Sequence, residues 1–167
     1  MTIRLLVAMA VLLPSIVFAE PDFNGTWVRD GAKSDVVPNT MYWLTRGVDA
    51  GGGRGRNNQT VIDIQQAAGR MQVTDPARPL RTLMLDGKPH SVPTDTGVQV
   101  ATVTTTLRGE TLTVSTTQPF GGMPGNLSVT ITETWTLSVD GNLLTIKTER
   151  DTPASRQSFS ELYIRRK

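Results

Sequence analysis

Residues 128–139 constrain this chain more than any other stretch. Val129, Ile131, Trp135, Leu137 and Val139 fall on one parity, and Ser128, Thr130, Thr132, Thr134, Thr136 and Ser138 on the other. A two-residue period of apolar against hydroxyl side chains requires a long β-strand with one buried and one wet face. Asp140-Gly141-Asn142 follows, residues that accept positive φ, and Leu143 to Arg150 runs on as a second strand. The expectation is a hairpin.

The same rhythm recurs along the chain. Phe23 to Arg29 reads as a short strand with Phe23, Gly25 and Trp27 on one face. Thr60 to Gln66 pairs with Met71 to Thr74 around a Gly69 turn; Leu80 to Leu85 and His90 to Pro93 flank Asp86-Gly87-Lys88. Val98 to Leu107 pairs with Thr111 to Thr117, and Ser158 to Arg165 closes the chain. Nine or ten strands joined mostly by tight turns give an all-β fold. Strands paired with their sequence neighbours make an up-and-down antiparallel β-barrel of about 8–10 strands, because closure removes the exposed edges of a meander. A β-sandwich is the competing architecture. An outer-membrane barrel is disfavoured by an aromatic content of 5%, which leaves little for interface girdles.

Length and charge bound the rest. Of 167 residues, the first 19 follow the plan of a cleaved signal peptide: Arg4, an apolar run from Leu5 to Val17, and Val17-Phe18-Ala19 before Glu20. Residues 20–167 then form one domain, expected in a periplasm or outside the cell. The full chain's formal charge of +2 falls to +1 without Arg4, so nothing calls for nucleic acid, and no stable membrane insertion is expected of the mature chain. The absence of cysteine excludes a thiolate nucleophile and a cysteine metal site. With one histidine and scattered aspartates, no metal and no cofactor are expected.

Gly25-Thr26-Trp27 near the start of the mature chain, followed by a meander, resembles the Gly-x-Trp signature of lipocalins and the wider calycin group. Asp22 to Trp27 with Ala32-Lys33-Ser34, Leu85-Asp86-Gly87-Lys88, Glu133 to Ser138 and Leu162 to Arg165 resemble a set of small secreted bacterial lipocalin-like proteins. The resemblance implies a barrel with a generic pocket. It also implies a basic side chain from the last strand over Trp27, a role open to Arg165 and Arg166. A second lipocalin block and a disulfide are missing.

The residues that carry function on this reading line the barrel. Trp27, Val129, Ile131, Glu133, Trp135, Leu137, Leu144 and Ile146 are the candidate binding residues for a small hydrophobic or amphipathic ligand. Glu133 stands out because a charge on the apolar parity is costly without a partner. It anchors a ligand's polar group, serves as a base, pairs with an interior arginine, or sits at the barrel rim. His90 is expected at the surface. Met41, Tyr42, Trp43 and Leu44 suggest a short helix or flap, Gly51 to Arg56 a flexible loop, and Met123 a residue at the barrel mouth. The competing functions are an envelope interaction protein with a filled barrel and an enzyme built on Glu133.

Overall fold

A computed structural model describes residues 20–36, 61–74, 80–93, 100–119 and 127–167. The expected leader at 1–19, the expected helix or flap at 41–44, the expected loop at 51–56 and Met123 lie outside the described residues. Ten strands occur among those described. They are β1 Gly25–Arg29, β2 Val61–Ala67, β3 Arg70–Thr74, β4 Arg81–Met84, β5 Pro89–Pro93, β6 Val100–Arg108, β7 Thr111–Pro119, β8 Ser128–Leu137, β9 Leu143–Asp151 and β10 Arg156–Arg165.

All ladders are antiparallel, in the order β4-β3-β2-β1-β10-β9-β8-β7-β6-β5. The sheet bends round into a nearly closed barrel, with β1 joining the first and last parts of the chain. The two outer strands, β4 and β5, are consecutive in sequence, so the remaining seam lies between them. At one end of the seam the turn joining them is tied to the wall: Gly87 N–H donates to the Thr105 carbonyl of β6 at 3.1 Å. Closure hides most strand edges from other chains.

The two ends of the barrel are built differently. Connections 68–69, 85–88, 109–110 and 138–142 turn the chain at one end. Connections 30–60, 75–80, 94–99, 120–127 and 152–155 do so at the other, and most are longer. Glycines serve the tight-turn end, with φ of 75°, 70°, 55° and 68° at Gly69, Gly87, Gly109 and Gly141, where a Cβ would be strained.

One expectation needs correction at this end. Val139 does not continue the buried parity of β8; it is fully exposed. The strand stops at Leu137 because Ser138 N–H bonds the Leu143 carbonyl and Leu143 N–H bonds Ser138 Oγ, closing a five-residue turn. Asp140 accepts from Ser138 Oγ and from Asn142, which holds its carboxyl down at about 2.

Inside, the period of two is obeyed. Phe23, Trp27, Ile62, Ile64, Met71, Leu83, Leu112, Val114, Trp135, Leu144, Ile146 and Tyr163 belong to one buried cluster. Much of it gathers toward the tight-turn end. Outside, threonines line up across three strands: Thr102, Thr117 and Thr130 in one row, Thr106, Thr113 and Thr134 in another. Such β-branched hydroxyl residues favour a pleated, solvated surface.

Candidate ligand site in the barrel interior

Trp27 plugs the tight-turn end. Its indole N–H donates to the Phe23 carbonyl at 2.9 Å, and the Arg165 guanidinium lies over the ring at 4.6 Å from the centroid. The register pairs Trp27 with Arg165 directly, so both side chains share a face. Arg166 falls on the other face and uses its backbone N–H on Thr26. Of the two arginines left open by the sequence, Arg165 therefore takes the cation–π position. Gly25 has φ of 126°, and a Cβ there would touch Arg165 Cγ at 3.9 Å. Glycine is needed here for backbone conformation more than for space beside the indole.

Along β8, counted from the tight-turn end, the inward residues are Leu137, Trp135, Glu133, Ile131 and Val129. The third of these changes the chemistry. Glu133 is 7% exposed and accepts from Arg81 through both oxygens, Nη1 to Oε1 at 3.2 Å and Nη2 to Oε2 at 3.1 Å. Trp135 Nε1 donates to the same carboxylate at 3.1 Å. An end-on fork plus an indole N–H satisfies a carboxylate that burial would otherwise penalise.

A second pair faces the interior. Glu161 is 1% exposed, and Arg29 Nε donates to its Oε1 at 3.0 Å while Arg29 Nη2 donates to the Asp35 carbonyl at 2.8 Å. Thr105 on β6, Gln118 on β7 and Thr148 on β9 are further buried polar residues. Arg150 shares the inward parity of Leu144, Ile146 and Thr148. The interior therefore has two chemistries, a plugged apolar half and a half in which acid–base pairs alternate with apolar side chains.

The sequence candidates divide between these halves. Trp27, Trp135, Leu144 and Ile146 belong to the main apolar cluster. Leu137 packs against it only partly buried and also borders a cleft of about 300 Å³ with Asp22, Glu110, Asp140 and Arg165 at the tight-turn end. Val129 and Ile131 are buried but lie beyond Glu133, apart from that cluster, as does Phe159. Glu133 joins the two regions.

Reading the sequence alone misses Arg29, Arg81 and Glu161. Glu161 carries the same signal as Glu133, a charge between Phe159 and Tyr163 on the apolar parity. Arg29 follows Trp27 by two residues and Arg81 precedes Leu83 by two, so both sit on inward parity too. His90 lies at the surface, its side chain partly exposed beside the β4–β5 turn. It reaches back to Asp86 in the β4–β5 turn at 2.9 Å, a bond that lowers the Asp86 carboxyl below its usual range. On the outer wall, Lys147 and then Arg156 lower the Glu149 carboxyl in the same sense. Among the described residues, no three His, Cys, Asp or Glu side chains converge as metal ligands would.

No family model matches the chain, and no curated protein matches its sequence. Among solved structures, the fold is similar to that of the zebrafish ileal bile acid-binding protein complexed with cholic acid. The TM-score is 0.56 at 17% identity, over 86% of this chain and 98% of that one. The likeness is one of architecture: an all-β, ten-stranded, nearly closed barrel.

Proposed function

We propose that this protein binds a small amphipathic molecule without covalent chemistry, in the half of the barrel beyond Glu133. The observation that carries the reading is the pair of interior salt bridges, Arg81–Glu133 and Arg29–Glu161. Well-packed apolar residues are often as stabilising as a buried ion pair. Polar groups kept inside a barrel beside Val129, Ile131 and Phe159 suit a guest with both apolar and polar parts. The zebrafish protein of this fold is complexed with cholic acid, which supports a guest of that general character.

The reading includes export. The apolar run from Leu5 to Val17 and the Val17-Phe18-Ala19 site support cleavage before Glu20 and a periplasmic or secreted address. Glu133 acts as a strut in this scheme. With its oxygens engaged by Arg81 and Trp135, it is organised to accept hydrogen bonds and not to move protons.

Native mass spectrometry of the mature protein, purified from its own secretory compartment, tests the proposal. A co-purifying small molecule is expected, lost in Ile131→Trp while the thermal midpoint is kept. A bare mass, with no binding of a fluorescent fatty-acid probe, would overturn it in favour of an envelope protein whose barrel is filled by its own side chains.

A further inference from the structure

Arg150 differs from the other interior arginines. Arg29 and Arg81 each face a carboxylate, whereas among the described residues Arg150 Nη1 donates to the neutral Gln157 Oε1 alone, at 3.3 Å. Its Nε is shielded from solvent and has no hydrogen-bond partner. No carboxylate among the described residues pairs with it. Acidic neighbours in sequence do not help, because Glu149 and Asp151 sit on the opposite parity, and Glu149 is engaged by Lys147 and Arg156 on the outer wall.

Shielding a guanidinium N–H without a partner is costly, so such a group in a folded interior calls for an acceptor. The position of the unused atoms says which kind. Nη1 is taken by Gln157, which leaves the side edge of the guanidinium, where the Nε and Nη2 protons point in parallel. That edge matches the two oxygens of a carboxylate and forms a bidentate pair with it. The surroundings are apolar: Ile131 lies directly across the ladder on β8, and Phe159 is diagonal to Arg150 on β10. Arg150 also stands one residue from the end of β9, on the side of the longer connections.

Resting on the cargo reading above, we infer that Arg150 is the headgroup subsite for a carboxylate-bearing amphiphile. Its carboxylate takes the Nε/Nη2 edge, and its apolar body lies along Ile131, Val129 and Phe159. The Arg81–Glu133 and Arg29–Glu161 pairs do not recognise the head, because each guanidinium already holds a carboxylate. The guest therefore lies on the far side of these pairs from Trp27.

A matched pair of probes tests this: dansyl-labelled undecanoic acid and its methyl ester, titrated by fluorescence into the whole mature protein. The acid is expected to bind about 10- to 100-fold more tightly than the ester, as loss of a charge-assisted hydrogen bond implies. Arg150→Met should remove that preference, bringing the acid's affinity down to the ester's. Arg150→Lys, which keeps the charge and loses the fork, should retain only part of it.

Equal binding of acid and ester to the unaltered protein would overturn the Arg150 subsite and leave the cargo reading standing. Binding of neither probe would overturn both. Because the two probes are compared first on the unaltered protein, the subsite stands or falls even where an Arg150 variant fails to fold.

Discussion

The two halves of this barrel obey the same pleat and fill it differently. Around Trp27, inward positions carry Phe23, Met71, Leu112, Leu144 and Tyr163, all fully buried in one apolar cluster. At and beyond Glu133 the inward positions mix Ile131, Val129 and Phe159 with Thr148, Arg150 and Gln118. Apolar packing gains free energy with each methylene removed from water. An ion pair at similar depth must first offset the desolvation of both charges. One half is thus packed for stability and the other carries the polar groups on which the proposed binding rests, and the tight turns and longer connections follow the same division.

Removing the plug is the strongest way to test that division. Trp27→Ala should destabilise the protein by about 4 kcal/mol, since it opens a cavity under Arg165 in a packed cluster. Urea denaturation would show it as a fall in midpoint. A much smaller loss would mean that the apolar half does not dominate stability.

Glu133→Gln should cost about 3 kcal/mol, because it keeps the shape but leaves the Arg81 guanidinium without its counter-charge. A loss under about 1 kcal/mol in the same measurement would show that Arg81, 28% exposed, finds water instead and that the pair is no strut. Thr105→Val sharpens the contrast from the other side. Thr105 is 1% exposed and its hydroxyl has no hydrogen-bond partner. Exchanging that hydroxyl for a methyl should stabilise the ligand-free protein by about 1 kcal/mol. A clear destabilisation would show that the hydroxyl is satisfied in solution.

Several of these features can be read along the chain. Trp135 and Glu133 stand on one parity two residues apart, a spacing that puts the two side chains on one face within reach of each other. Glu133 is conspicuous because it interrupts an apolar series. Glu161 interrupts Phe159 and Tyr163 in the same manner, and equal weight on every strand would have found it. The partners are different. Arg81 is 52 residues from Glu133, and Arg29 is 132 from Glu161, separations over which local pattern carries no information. Val139 shows the limit of periodicity itself, since the parity rule ends where the turn's hydrogen bonds take over.

By itself, then, the sequence determined the strands, their buried faces and the glycine-bearing turns, because these depend on side-chain alternation and on φ within a few residues. Strong meander signals also made a barrel the natural closure. Only the tertiary structure decided that Arg165 and not Arg166 covers Trp27, that Arg81 neutralises Glu133, and that Arg150 faces the interior without a carboxylate partner among the described residues. Each depends on the register and curvature of the closed sheet, above all where β1 meets β10. A period of two fixes which face a side chain takes, but not which distant residue it meets there.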